Sequence, residues 1–157
     1  MNRVLTTGVI AASQLALVGL AVAPQLSARA SGDTYLLRVA PVDPIDPFRG
    51  AYVALDYPGL REDDAPVLDD GRQGDLYVTL EQHGDVWRAG EWSRERPDDG
   101  PYLACDDRTW QVQCGIESWF LPQDEAKQVE RLLRDGAVAE VKVDGRGNAA
   151  VVDVRAP

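Results

Sequence analysis

Alternation of apolar and polar residues with a period of two constrains the fold of this chain more than any other feature. In the first such segment Tyr35, Leu37 and Val39 fall on one side. Successive side chains of a strand point to opposite faces, so such a segment predicts a half-buried β-strand. The pattern recurs in seven further segments, at residues 53–57, 76–80, 86–93, 101–105, 110–120, 138–143 and 149–154.

The links between these segments indicate how the strands are arranged. His83-Gly84-Asp85 is a tight-turn sequence between two of them, and residues 144–148 form another Asp- and Gly-rich turn. Short turns of this kind favour antiparallel hairpins. A single helix is predicted between Pro122 and the stop signal Gly136. Its apolar stripe is Ala126, Val129, Leu132 and Leu133.

These elements together predict a mostly β fold. We expect a small antiparallel barrel or sandwich of about eight strands with one covering helix. An N-terminal membrane helix is expected in addition, for the reasons that follow.

The stretch from Val4 to Ala23 is 20 residues long and carries no charge. An apolar span of this length can cross a bilayer as a helix. Arg3 and the free amino group in front of it favour a cytoplasmic N-terminus. However, Ala28-Arg29-Ala30 supplies a small-x-small cleavage site, so a cleaved secretory signal is the alternative to an uncleaved anchor.

Both interpretations place the rest of the chain outside the cytoplasm, either membrane-anchored or secreted after cleavage near Ala30. We therefore divide the chain into an anchor or signal segment (1–27), a tether (28–32) and an extracytoplasmic β-rich domain (33–157). No internal repeat is visible, and the length fits one such domain.

The predicted exported part of the chain is strongly acidic. The whole chain has a formal net charge of −10, and without Arg3 and Arg29 it has 14 basic and 26 acidic residues, or −12. Such a surface repels phosphate backbones, so we predict no nucleic-acid partner. It also repels anionic lipid headgroups, so the N-terminal helix is the predicted means of holding the membrane.

Cys105 and Cys114 are the only two cysteines. An even count in an exported domain predicts a disulfide. The strand-like segments 101–105 and 110–120 flank a turn-forming run, so the bridge is predicted to staple a hairpin. Two free thiols are the alternative, whereas redox chemistry favours a closer spacing such as C-x-x-C.

The segment from Pro41 to Tyr57 combines three prolines, Gly50 and an alternating strand. Its sequence P-V-D-P-I-D-P-F-R-G-A-Y-V-A-L-D-Y resembles the signature of the GDYXXLXY-motif protein family. A second block, Gly115-Ile116-Glu117 followed by Phe120 and Pro122, is similar to another part of the family pattern. The resemblance implies a bacterial protein with an N-terminal membrane segment and a small β-rich extracytoplasmic domain. It implies no reaction.

Ala51 stands where the naming motif has an aspartate. An alanine methyl group neither accepts a proton nor coordinates a metal, so this chain carries no such chemistry there. An aspartate beside a glycine at a strand entry often only bonds backbone N–H groups. We therefore interpret the family's aspartate as structural; a degenerate member of a catalytic family is the alternative.

Charged residues of the two blocks provide the candidate contacts. In one interpretation a carboxylate clamps Arg49 in a two-pronged salt bridge that pins the loop to the sheet. In the other, Arg49 belongs to a small polar pocket that binds a ligand. The candidate ligand- or partner-binding residues are Arg49, Asp43, Asp46, Glu117 and Tyr52.

The sequence carries no recognisable catalytic set. The single histidine, His83, lies in a predicted turn, and no nucleophile elbow, P-loop or zinc spacing occurs. The acidic pairs lack the spacing of a calcium loop. We therefore predict no catalytic residue, no metal and no cofactor. An exposed Trp92 or Trp119 is the candidate for an aromatic contact patch.

These features favour a non-enzymatic envelope protein that binds a protein partner at the membrane. The alternative is a small-ligand-binding or enzymatic β-barrel that uses Arg49 and the nearby carboxylates.

Overall fold

The computed structural model describes residues 3–41, 52–60, 71–109, 111–122, 125, 129, 132–133 and 136–157. A long N-terminal helix precedes the strands, and a 3-10 turn, Pro58–Leu60, follows the second strand. The elements are α1 (Arg3–Ser31), β1 (Asp33–Pro41), β2 (Tyr52–Asp56), β3 (Asp75–His83), β4 (Val86–Ser93), β5 (Tyr102–Asp106), β6 (Ser118–Phe120), β7 (Ala137–Val143) and β8 (Ala149–Arg155).

Strand β1 is the branching point of an eight-stranded sheet with the order β5-β3-β4-β1-β2-β6. It pairs with β7 from Asp33 to Val39, with β4 in parallel at Leu37, and with β2 at Ala40 and Pro41. The remaining strand, β8, pairs with β7. The pairings other than β1–β4 are antiparallel, and no ladder closes the sheet among the described strands. A sandwich-like fold therefore fits, and the predicted fold class is confirmed.

The core lies where the alternation places it. Leu37 and Val39 of β1 are buried, as are Val78 of β3, Leu103 of β5 and Val141 of β7. These strands bury one or both faces. Removing their apolar side chains from water stabilises the fold by roughly 25 cal/mol per Å² of apolar surface buried. For these four strands, β1, β3, β5 and β7, the predicted positions are thus confirmed by burial as well as by pairing.

The described part of the predicted helix after Pro122 agrees with its sequence pattern. The structure describes Glu125, Val129, Leu132 and Leu133 in this stretch, and all are α-helical. Val129 and Leu133 are buried in the main core cluster, and Glu125 is exposed. Val129 and Leu133 of the predicted stripe thus pack in the core and Glu125 faces water, while Ala126 lies outside the described residues.

The predicted strand at residues 110–120 is wrong over most of its length. In the described part of this stretch only Ser118–Phe120 is a strand, and it pairs with β2 rather than with the cysteine hairpin. Gly115 has a positive φ of 81°, which a side-chain-bearing residue in a strand rarely adopts. The chain turns there, so that Ile116 enters the core.

The tryptophan contact patch is also corrected. Trp92 is only 7% exposed and belongs to the core cluster, while Trp119 is half-buried against it. Trp92 points inward because β4 pairs with β3 and places Trp92 opposite Val78, which is itself fully buried. The aromatic ring therefore stabilises the sheet instead of offering a stacking surface.

Helix α1 is long and apolar enough to cross a membrane. The candidate span is Thr6–Ser31. Its mean hydropathy is 1.8 over an 18-residue window, and no residue of that window is buried against the β-domain. Signal sequences near an N-terminus share these properties. Residues 28–31, within the stretch assigned as tether, form the last turn of the helix, and Ala28 is fully buried.

Candidate functional site

The two sequence blocks that resemble the family pattern meet in space. Strand β2 pairs with β6, so that Val53 lies opposite Trp119. The pairing continues where the Leu55 N–H donates to the carbonyl of Glu117 at 2.9 Å. The Tyr57 hydroxyl donates to the carbonyl of Ile116, also at 2.9 Å. The final Leu and Tyr of the motif thus join the blocks into one packed unit.

Replacing Tyr57 by phenylalanine is expected to lower the free energy of unfolding by about 1–2 kcal/mol, because it leaves the Ile116 carbonyl without its buried donor. Urea unfolding followed by tryptophan fluorescence measures the change. Tyr77→Phe is the control, since the hydroxyl of Tyr77 makes no hydrogen bond within the described residues. Equal stability of Tyr57→Phe and the native protein would contradict this role.

Glu117 fixes the turn that precedes β6. Its carboxylate accepts hydrogen bonds from the backbone N–H of Cys114 and, at 3.0 Å, from that of Gly115. The Glu117 charge also contributes, after burial, to raising the pKa of the nearby Tyr57 hydroxyl. The sequence predicts Glu117 as a binding residue. In the structure its two carboxylate oxygens bind backbone N–H groups of this turn.

The predicted disulfide is confirmed. Cys105 and Cys114 are bonded, with Sγ atoms 2.02 Å apart. Next to the bridge, Asp106 and Gln113 exchange two backbone hydrogen bonds of 2.8 Å. The bridge therefore ties β5 to the turn that Glu117 holds, and the free-thiol alternative is excluded.

The other predicted contacts lie largely outside the described residues. Asp43, Asp46 and Arg49 are among them, and so is the side chain of Tyr52, whose backbone pairs with Phe120. Both interpretations of Arg49, as a clamp and as a pocket residue, remain predictions.

The last two turns of α1 are bound to the β-domain by hydrogen bonds. The Gln25 side chain donates to the carbonyl of Gly115 at 3.0 Å. The Arg29 guanidinium donates to the carbonyl of Val151 at 3.0 Å, and the Lys142 ammonium donates to the carbonyl of Arg29 at 3.2 Å. Gly32 ends the helix in close contact with the backbone of β7, where an added Cβ would lie 2.9 Å from Val143.

Asp144 lies at the centre of the contact between the last two turns of α1 and the β-domain, which we call the junction. It is 7% exposed and lies in the turn between β7 and β8. Its carboxylate accepts hydrogen bonds from the Ser27 hydroxyl at 2.5 Å, from the backbone N–H of Arg146 and from both nitrogens of Asn148. Burial opposes ionisation, but these donors outweigh it and hold the pKa of Asp144 below its ordinary value. The Asp144 carboxylate thus stabilises the turn and also binds α1 through Ser27.

A cleft of about 470 Å³ opens between the end of α1 and the sheet. Pro24 and Gln25 form its helix side, and the disulfide forms part of the opposite wall. The volume lies in the range of small-ligand sites, about 300–1,000 Å³. The polar residues of the lining are Gln25, Asp75, Tyr77, Asp106, Gln113, Glu117 and Asn148.

Sequence reasoning missed this junction. Ser27 and Arg29 lie in or beside the small-x-small motif, and residues 144–148 have the composition of an ordinary hairpin turn. One local signal exists in the sequence: Asp144 is followed four residues later by Asn148. An asparagine at that distance can donate hydrogen bonds to the aspartate carboxylate within one turn. Nothing local in the sequence connects that turn with a residue 117 positions earlier.

An apolar N-terminal helix seated on a sandwich-like, disulfide-bridged β-domain defines the class of protein. The family model of GDYXXLXY proteins matches residues 14–154, and the chain therefore belongs to the GDYXXLXY protein family. No curated protein and no solved structure matches the chain.

Proposed function

We propose that this protein is a non-enzymatic, membrane-anchored binding protein whose β-domain lies outside the cytoplasm and binds a protein partner at the membrane surface. The observation that carries the proposal is the seating of α1 on the domain through Gln25, Ser27 and Arg29. A helix held in this way fixes the orientation of the domain with respect to the bilayer.

The outward topology is supported by charge and by the disulfide. Arg3 and the free amino group precede the apolar span, a distribution that favours a cytoplasmic N-terminus. Disulfides persist in oxidising compartments, which agrees with an exported Cys105–Cys114 bridge.

Retention of the anchor is supported by the junction. Ala28 is fully buried in the last turn of α1, and Arg29 donates to Val151. Cleavage near Ala30 removes these contacts together with the Ser27–Asp144 hydrogen bond. A folded domain therefore gains stability from keeping its helix.

The protein is expected to remain in the membrane fraction with its N-terminal segment intact. Alkaline carbonate extraction, followed by intact mass measurement, checks this, and protease treatment of intact cells checks the outward location of the domain. A chain that begins at Ser31 and leaves the membrane in high salt would overturn the anchor.

A binding role, rather than catalysis, is supported by how the motif residues are used. Leu55 is buried, Tyr57 bonds a backbone carbonyl, and Glu117 holds backbone N–H groups. These residues build the domain. Pro24 and Gln25 of the anchoring helix line the cleft at the junction, so the cleft lies beside the bilayer and is the surface that we assign to the partner.

Photo-cross-linking in membranes tests partner binding. A p-benzoylphenylalanine placed at Gln113, an exposed residue of the cleft lining, is expected to give one stoichiometric adduct with a membrane protein. The same probe at the exposed turn residue Asp85 is the control, because the length of β3, about 27 Å, separates this turn from the Asp75 end of the cleft. Adducts of equal yield and identity at both positions would contradict a partner at the cleft.

The second candidate function is small-ligand binding or catalysis by the Arg49 and carboxylate cluster. The observation that favours it is that Glu117, one residue of this cluster, lines a cleft of small-ligand size. Replacing Arg49 by alanine separates the roles of this residue. Loss of folding indicates the clamp, whereas a folded protein that no longer binds its ligand indicates a pocket.

A further inference from the structure

The cleft at the junction carries a specific chemistry on the strand side. Asp75 and Tyr77 are two residues apart on β3, so their side chains lie on the same face of the sheet. Asp106 of β5 lies directly opposite Asp75 in the antiparallel register. All of these residues line the cleft.

Two aspartates directly opposite each other in a sheet repel. Asp106 is compensated by Arg108, which bonds its carboxylate from the following turn. Asp75 is exposed, and none of the described residues donates a hydrogen bond to its carboxylate. Of the residues that line the cleft in the described part of the chain, none is a lysine or an arginine. Arg108 lies outside this lining, and its guanidinium interacts electrostatically with Asp75 as well as bonding Asp106. The lining itself carries the three carboxylates of Asp75, Asp106 and Glu117, so the cleft keeps a net negative charge.

An aromatic ring stands beside these carboxylates in a fixed position. Tyr77 packs edge-on against Tyr102, with ring centroids 5.9 Å apart. The face of a tyrosine ring attracts a cation, and a neighbouring carboxylate supplies a charge-assisted hydrogen bond to the same group. A cavity that combines both has the two elements of ammonium or guanidinium recognition.

We propose that the cleft receives a lysine or arginine side chain from the extracytoplasmic segment of a membrane partner, with Asp75 as its ion-pair acceptor and Tyr77 as its aromatic contact. The proposal rests on the proposed function, because the seated helix is what holds the cleft at the level where a membrane partner emerges. It adds the chemistry that the partner presents.

A peptide side chain fits better than the ammonium group of a lipid. A zwitterionic lipid carries a phosphate next to its ammonium group, and a cleft lined by Asp75, Asp106 and Glu117 repels that phosphate. The domain as a whole is strongly acidic, which disfavours anionic headgroups further. A lysine or arginine in a peptide has no such obligatory anion beside it.

The test uses the full chain in phosphatidylcholine nanodiscs, titrated by NMR with the peptide acetyl-Gly-Arg-Gly-amide. The amide signals of Asp75, Tyr77 and Gln113 are expected to shift with this peptide and not with acetyl-Gly-citrulline-Gly-amide, a neutral analogue of the same shape. Asp75→Asn is expected to weaken binding about fivefold, the size typical of one partly exposed ion pair. Tyr77→Leu is expected to weaken it as well.

Asp85→Asn is the matched control, because it removes the same charge in the turn that follows the far end of β3. Asp75→Asn relieves the repulsion with Asp106 and also removes an exposed attraction to Arg108, so its unfolding midpoint is expected to stay close to that of the native protein. A loss of binding at an unchanged midpoint is then not a loss of folding. Equal binding of the citrulline peptide, or equal weakening by Asp85→Asn, would overturn the proposal. So would the same shifts on adding phosphatidylethanolamine to the nanodisc without peptide.

The two proposals fail in different ways. If Gln113 cross-links a membrane partner but the arginine peptide does not bind, partner binding stands and the cation chemistry falls. If the arginine peptide binds the cleft and no partner is cross-linked in membranes, the partner-binding function falls, and with it the assignment of the cation to a membrane partner.

Discussion

Replacing Asp144 by alanine is expected to lower the free energy of unfolding by about 3 kcal/mol and to release α1 from the β-domain. The carboxylate is buried and accepts hydrogen bonds from Ser27, from the backbone N–H of Arg146 and from Asn148. Hydrogen bonds to a charged group are worth about 1.5–3 kcal/mol, and donors left without an acceptor in a buried site add to the loss. Urea unfolding measures the stability, and amide hydrogen exchange of residues 25–32 measures the release of the helix.

Asp85→Ala is the control for this change, because Asp85 lies in another hairpin turn but is exposed. It is expected to change stability by less than about 0.5 kcal/mol. Equal effects of the two substitutions, or unchanged exchange at residues 25–32 in Asp144→Ala, would show that Asp144 does not hold the helix.

The same carboxylate predicts a pH dependence. The pKa of Asp144 is lowered in the folded state, so the folded protein binds fewer protons than the unfolded chain as the pH approaches the carboxyl range. The stabilisation is fully present above the unfolded value of about 3.9 and is lost as the pH falls through the lower folded value. Native protein is expected to lose stability on acidification more steeply than Asp144→Asn below about pH 4. Parallel pH profiles would contradict this.

The second large effect is expected at Gly147, whose replacement by alanine should cost about 3 kcal/mol. Gly147 has a φ of 80°, a conformation that costs a residue with a side chain about 1–2 kcal/mol. An added Cβ would also lie 2.6 Å from the Tyr102 ring and 2.7 Å from the backbone nitrogen of Ala104. That nitrogen donates to the Gly147 carbonyl at 2.9 Å, so the clash falls on the contact that joins this turn to β5.

Gly145 is a matched control two residues earlier in the same turn. An added Cβ there has no atom within 4 Å, and its φ lies outside the positive range. Gly145→Ala is therefore expected to be neutral within about 0.5 kcal/mol. Thermal unfolding of the two variants side by side checks the difference, and a smaller loss for Gly147→Ala than for Gly145→Ala would refute the steric argument.

Much of the fold was predictable because its signals are local. Alternation with a period of two identified the strand around Leu37 and the hairpin around Gly84, and the stripe that includes Val129 identified a helical segment. The pattern failed at residues 110–120, because the positive φ of Gly115 and the cap from Glu117 are features of a turn that alternation does not encode.

The candidate site was less predictable than the fold. The second sequence block predicts Glu117 as a binding residue, yet only the folded turn shows its contacts with backbone N–H groups. Asp75 and Asp106 look like two unrelated loop-proximal acids in the sequence, and only the register of β3 with β5 places them opposite each other. The role of Asp144 is not predictable from the sequence, because a buried carboxylate in a turn has the same local sequence as an exposed one.

The sequence by itself determined the family, the β-rich class, the disulfide and the presence of an apolar helix long enough to cross a membrane. The tertiary structure alone decided that this helix is seated on the domain and that a cleft opens beside it. The physical reason is the range of the interactions. Periodicity and turn composition act over a few residues, whereas the hydrogen bonds of Gln25, Ser27 and Arg29 join residues 90 to 122 positions apart. Such contacts depend on how the whole sheet is ordered, which no single segment specifies.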